Sequence, residues 1–192
     1  GGVVVLRGNP AVLVELGAPC NFGPESADEL ALVTNDFSAH CLGRLDIDDR
    51  LITPDLAPAS TDTALGARGD WIVMVHRYGH NRIEVVDRPG WTVRGAVDVS
   101  HAGVAEPNPQ GVTFADDGLG YVPLFAAPAV QIYDFAGAPA QWLAGSIDLS
   151  GFADDDGNPE AGVALACGRV LFVAIQRLVD FTPVDGHSHL VA

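Results

Sequence analysis

The chain has 192 residues, 48% hydrophobic but only 7% aromatic, and its ten Arg, absent Lys and 25 acidic residues give a net charge of −15. That balance speaks against a nucleic-acid partner, whose phosphates need clustered cations, and against docking on an anionic membrane. No apolar run approaches the roughly 18 residues of a membrane span.

Taken in chain order, the sequence opens on Gly1-Gly2-Val3-Val4-Val5-Leu6 with no basic n-region, so a signal peptide is absent or already removed. Residues 3–16 read as the third and fourth strands of a small sheet, and 20–56 as the next unit. The unit over 62–99 is clearest. Thr63-Ala64-Leu65-Gly66-Ala67, Trp71-Ile72-Val73-Met74-Val75, Arg82-Ile83-Glu84-Val85-Val86 and Trp91 to Val97 are short and rich in β-branched residues. Gly69-Asp70, Gly79-His80-Asn81 and Arg88-Pro89-Gly90 separate them with turn chemistry. Residues 110–149 repeat the plan, and 161–192 supply the first three strands of another unit. No segment carries a helical stripe of ten or more residues.

Three markers set the period. An acid followed by an aliphatic residue recurs at Glu15, Asp55, Asp98 and Asp148, in steps of 40, 43 and 50 residues. An Asp closes an aliphatic strand at Asp46, Asp87 and Asp134. Asn108-Pro109-Gln110-Gly111-Val112 returns almost verbatim as Asn158-Pro159-Glu160-Ala161-Gly162-Val163. Four strands every 40 to 50 residues form an all-β pattern, the signature of a β-propeller of four-stranded antiparallel blades. One small sheet cannot bury both faces, so neighbouring blades bury each other, and Val112, Val163, Ala164 and Leu165 suit the crowded inner strands. A β-sandwich also has short strands and turns, but it does not require markers at one period. About four blades are covered. Either Val12-Leu13-Val14 completes the last sheet and closes a small ring, or the chain is part of a larger one; the ragged ends favour the larger ring.

The strings Val130-Gln131-Ile132-Tyr133-Asp134, Gly145-Ser146-Ile147-Asp148-Leu149 and Asn108 to Gly118 resemble the YVTN-type bacterial surface β-propellers. The stretch from Ile147 to Arg177 is similar to a segment of secreted propeller-like lipoproteins. The likeness covers about 60–192 well and 3–56 only by register. It implies an exported protein of six or seven blades, located extracellularly, at the cell surface or in the periplasm, and commonly without a known reaction. One departure is Tyr121-Val122-Pro123-Leu124, where Pro123 removes a ladder donor.

The acidic loop Asp154-Asp155-Asp156-Gly157-Asn158-Pro159-Glu160 is the leading site candidate. Oxygens of Asp154, Asp156, Asn158 and Glu160 are what a hard cation such as Ca²⁺ takes. The EF-hand pattern fails, because Gly157 stands fourth and Leu165 holds the twelfth position; the competing reading is a solvated turn. Propeller topology places this loop on the same face as 57–62 and 100–110. His187-Ser188-His189 puts two imidazoles on one side of an extended segment, as a Zn or Cu pair or as strand-edge histidines. His76, His80 and His101 read as surface histidines. A nucleophile elbow and a phosphate loop are both missing. Asp116-Asp117-Gly118 reads as a hairpin turn, and Trp91 and Trp142 as equivalent residues packing between blades, with carbohydrate stacking as the other use. A Cys20–Cys41 bridge would span two strand spacings, near 10 Å, beyond the roughly 7 Å limit between Cα atoms. The expected role is a non-catalytic scaffold or binding module for a protein, carbohydrate or small molecule. The alternative is a Ca²⁺-dependent, lactonase-like hydrolase with its site on that loop face.

Overall fold

The computed structural model describes residues 5–6, 29–35, 39–168, 170–179, 182–183 and 188–192. Val12-Leu13-Val14, Cys20 and His187 lie outside the described residues. A short strand β1 (Val5–Leu6) is followed by β2 (Glu29–Asn35), β3 (His40–Asp46) and β4 (Leu51–Pro58), which form a three-stranded sheet. The second sheet is β5 (Thr63–Arg68), β6 (Trp71–His76), β7 (Arg82–Asp87) and β8 (Thr92–Asp98); the third is β9 (Thr113–Phe114), β10 (Gly120–Pro123), β11 (Ala129–Tyr133) and β12 (Leu143–Asp148). The fourth begins with β13 (Ala161–Cys167) and β14 (Val170–Ile175). A hairpin of β15 (Leu178–Val179) and β16 (Thr182–Pro183) intervenes before β17 (His189–Val191), and β1 pairs with β17 as the outermost strand. All pairings among the described residues are antiparallel, and the helix among these residues is limited to two 3-10 turns, Pro139–Gln141 and Ser150–Phe152.

The strands of 62–99 and their turns fall where the sequence places them. Asp46, Asp87, Asp98 and Asp148 each end a strand, and Asp134 follows one directly. Val5–Leu6 pairs with β17 at the outer edge of the fourth sheet. Pro123 is tolerated at the end of β10 because its partner Val130 is at a non-hydrogen-bonded position of the ladder, and the next bond is made by Leu124 N–H to Ala129 O.

Why the second sheet reads as a continuous apolar run follows from its position. In β6, Ile72 and Met74 join Leu42, Ala57 and Val86 in the core against the first sheet. The alternate residues Val73 and Val75 join Ile83, Val85, Val122, Leu124, Tyr133, Phe135 and Trp142 against the third. Side chains alternate between faces with period two, and here both faces are covered. A third core holds Val130, Leu149, Ala161, Val173, Ile175 and Val191 between the third and fourth sheets. Two glycines allow the close approach. A Cβ on Gly66 of β5 would lie 2.3 Å from Val112 Cγ1, and one on Gly95 of β8 would lie 2.3 Å from Pro139 Cγ. The first strands approach each other across sheets, β2 with β5 and β9 with β13, so they form the inner edge of the array.

Candidate functional site on the loop face

In a four-stranded antiparallel meander, the connection between the second and third strands emerges at the same end as the link to the next sheet. Loops 77–81, 99–112, 124–128 and 149–160 therefore share one face, as the topology anticipates. Their polar side chains hold these loops to one another. Asn81 adopts φ 46°, and its Oδ1 accepts the N–H of Asn108 at 2.8 Å. The Asn81 amide donates to Glu106, whose carboxylate also accepts the Gly79 N–H. Gln110 Nε2 donates to Asn108 Oδ1 at 2.9 Å, and Arg77 Nη1 donates to Gln110 Oε1 at 3.3 Å while its Nε reaches Asp62 Oδ1 at 2.6 Å.

The second copy of the Asn-Pro motif does the same work one sheet further on. Asn158 Nδ2 donates to Phe125 O, in the loop of the preceding sheet, at 2.8 Å. Glu160 Oε2 accepts the N–H of Leu178, in the loop of its own sheet, at 2.8 Å. The near-verbatim repeat is thus a clamp that ties each inter-sheet link to the loops beside it. Removing the Asn158 side chain leaves the half-buried Phe125 O without its donor, so Asn158→Ala is expected to cost about 1–2 kcal/mol in urea unfolding; Asn158→Asp, which cannot donate to Phe125 O, should cost at least as much.

Within the acidic loop, Asp154 Oδ1 accepts the Asp156 N–H and Asp156 Oδ1 accepts the Asn158 N–H at 2.7 Å, with Gly157 at φ 83° closing the bend. These are turn contacts of the kind Asp and Asn make with their own backbone. Two further oxygens, Asp154 Oδ2 and Asn158 Oδ1, are buried without a hydrogen-bond partner. Glu160 is 4% exposed. Burial pushes its carboxyl above the ordinary range, with Asp156 and Asp154 adding to the shift and the Leu178 N–H and Arg177 opposing it. Asp155 and Asp156 face solvent. Among the described residues, no three His, Cys, Asp or Glu side chains converge to hold a metal ion.

Beside this loop a cavity of about 390 Å³ is lined by Phe152, Ile175 and Val191 and by the polar Arg177 and His189. His189 is the described member of the predicted imidazole pair. His76 departs from the surface reading: it is buried, and its Nδ1 lies 3.1 Å from both Ser60 Oγ and Thr63 Oγ1. The Asp-Asp-Gly segment is the expected turn, with Gly118 at φ 91° and Asp117 Oδ1 accepting the Leu119 N–H. Trp91 and Trp142 each precede a fourth strand. Trp142 is fully buried, and Trp71 and Trp91 are half-buried, so none of the three forms the exposed stacking surface that carbohydrate recognition needs.

The sequence gives no hint of the Ser60–Thr63–His76 cluster or of Arg77 and Glu106, because their partners come from loops 13 to 33 residues away. Cys41 is a free thiol, in line with the absence of a Cys20–Cys41 bridge, whereas Cys167, at the end of β13, is disulfide-bonded. No helix among the described residues is long and apolar enough to cross a membrane.

No family model and no curated protein sequence matches the chain. Solved structures do. Similarity to a streptogramin B lyase covers 84% of this chain and 47% of that one, with a TM-score of 0.56 at 10% identity. Dihydro-heme d1 dehydrogenase NirN matches over 92% of this chain and 35% of its own, with a TM-score of 0.53 at 17% identity. A chain of the mitotic checkpoint complex matches over 88% of this chain and 56% of its own, with a TM-score of 0.51 at 12% identity. The fold is a β-propeller. Each of the four larger sheets is one blade of it, and the chain spans between 35% and 56% of these three proteins. These neighbours include enzymes as well as a member of a protein assembly, so the likeness carries the fold and not an activity.

Proposed function

We propose that this chain is a run of blades from an exported propeller that acts as a binding scaffold in the cell envelope or outside the cell. The observation that carries the scaffold reading is the use made of the loop-face polar groups. Asn81, Glu106, Gln110, Asn158 and Glu160 bind neighbouring loops, which rigidifies a face suited to presenting a fixed surface to a protein or small-molecule ligand. The disulfide at Cys167 supports export, because such bonds persist in oxidising compartments.

A second reading, the Ca²⁺-dependent one, rests on the two buried oxygens without partners. Asp154 Oδ2 and Asn158 Oδ1 sit on the same loop within four residues, and a hard cation would satisfy both, with backbone carbonyls and water completing its shell. Melting curves with and without millimolar Ca²⁺ separate the two. If the loop holds Ca²⁺, the ion raises the Tm of the wild-type protein by several degrees, and the rise disappears in Asp154→Ala while Asp155→Ala keeps it. A wild-type Tm indifferent to Ca²⁺ removes the cation reading and the hydrolase with it, and leaves the loop as a clamp.

A further inference from the structure

At the loop face, the core between the third and fourth sheets gives way to the cavity of about 390 Å³. Phe152, which packs on that core, and the core residues Ile175 and Val191 form its apolar lining. Its walls are the link 149–160 on one side and the ends of β14 and β17 on the other, so it belongs to an interface that the chain itself makes. The volume is that of a small-molecule site, where an apolar lining with a few placed polar groups is the usual composition.

The charged or titratable side chains of the lining are Arg177 and His189. No acid lines it, although the chain has 25 acids against ten Arg. The acids nearest in sequence are engaged elsewhere. Asp154 Oδ1 accepts the Asp156 N–H, Asp155 and Asp156 face solvent, and Glu160 Oε2 accepts the Leu178 N–H. Arg177 is also held in place by its backbone. It adopts φ 52°, an unfavourable conformation for a residue with a Cβ and one that clusters at ligand sites. The N–H groups of Gln176 and Arg177 both donate to Pro159 O, at 3.3 and 3.4 Å, which fixes this turn to the Asn-Pro link. In the second sheet Arg77 donates its N–H to the link carbonyl of Asp62 in the same way, but its guanidinium goes to Asp62 and Gln110. Arg177 brings its guanidinium to the cavity wall, from where its charge also acts on Glu160.

We propose that this cavity binds a small organic monocarboxylate with an apolar body. The carboxylate lies against Arg177, whose planar fork matches two oxygens, with the His189 ring as a further donor. The apolar body lies on Phe152, Ile175 and Val191. This inference rests on the scaffold reading and deepens it by naming a class of ligand for the loop face.

Titration of the full chain with phenylacetate, hexanoate and acetate, and with uncharged phenylacetamide, tests it by calorimetry and by the side-chain NMR resonances of Arg177 and His189. Phenylacetate and hexanoate should bind with a Kd of about 1 mM or tighter. Acetate, which lacks the apolar body, and phenylacetamide, which lacks the charge, should bind at least about tenfold more weakly. Arg177→Gln should lose about tenfold or more in phenylacetate affinity and bring acid and amide level. Gly151→Phe supplies a test that leaves the charges alone. A Cβ at Gly151 meets no atom within 4 Å and needs no left-handed backbone, so the variant should keep the wild-type Tm while its ring obstructs the cavity and weakens phenylacetate binding about tenfold. No saturable response to any of the three acids up to about 20 mM overturns the proposal and leaves the scaffold reading standing. Equal affinity for acid and amide, or binding unmoved in both variants, overturns it as well. Hydrolysis of methyl phenylacetate by the wild type and not by Gly151→Phe would keep the site and overturn the non-catalytic reading instead.

Discussion

Trp142→Ala is expected to destabilise the protein by about 3–5 kcal/mol, measured by urea unfolding at neutral pH. The side chain is fully buried where the second and third sheets meet. Its ring stands edge-on to Phe135 with centroids 5.3 Å apart, and Phe135 stacks in turn on Tyr133 at 5.6 Å. Its Nε1 donates to Gly137 O at 2.9 Å. Truncation therefore leaves a cavity in a close-packed interface and strips a backbone carbonyl of its donor. Local collapse is obstructed by the aromatic stack on one side and by Gly95 on the other, where no side chain exists to fill the space. Trp142→Phe, which keeps the ring volume in part and loses the hydrogen bond, should recover about half of the loss. Trp91→Ala, at the equivalent place in the preceding blade but half-buried, should cost under about 2 kcal/mol. A loss at Trp142 no larger than that at Trp91 would show that the inter-blade core is not where the stability resides.

Acidification from pH 7 to pH 4.5 is expected to remove about 2–3 kcal/mol of stability through His76 alone. Burial, with His80 and Arg82 nearby, lowers its pKa from 6.5 to about 4. Below 6.5 the unfolded chain takes up a proton that the native state refuses until about pH 4, so the contribution is intact above 6.5 and is lost progressively as pH falls through that window. A depression of this size corresponds to roughly 3 kcal/mol at most. Within the native state Nδ1 of the neutral ring shares hydrogen bonds with the hydroxyls of Ser60 and Thr63, both 3.1 Å away, and those hydroxyls are themselves 2.8 Å apart. The carboxyls of Glu84 and Glu160, both pushed upward by burial, act in the opposite direction and gain stability on acidification. They are common to wild type and variant, so the difference isolates His76. Urea midpoints of wild type and His76→Gln at pH 7 and pH 4.5 make the comparison. The variant should start about 1–2 kcal/mol lower, for its altered hydrogen bonding, and lose little more on acidification. Equal losses in the two proteins would assign the acid sensitivity to other groups.

Much of the architecture was legible because it is local. The β-branched runs of β6 to β8, the turn glycines Gly69 and Gly79 and the aspartates ending strands report on nearest neighbours, and the recurrence of those signals at one period implies equivalent blades. The Asn-Pro repeat was visible as a marker, but its work was not. What Asn108 and Asn158 bind, the Asn81 amide and Phe125 O, lies 27 and 33 residues away, on loops whose proximity depends on how one blade stacks on the next. His76 reads as a turn histidine for the same reason: Ser60 lies in the link entering its sheet and Thr63 is its register partner on β5, so their closeness is a consequence of the ladder between β5 and β6.

By itself, then, the sequence determined the blade: strand type, strand count over 62–99 and 110–149, the turns and the spacing between units, all set by side-chain periodicity and backbone preference over a few residues. Only the tertiary structure decided which face of each strand is covered, and which polar loop groups clamp a neighbour and which are left over. Burial and polar pairing are properties of the space between blades, and hydrophobic contact has no direction that a single strand could encode.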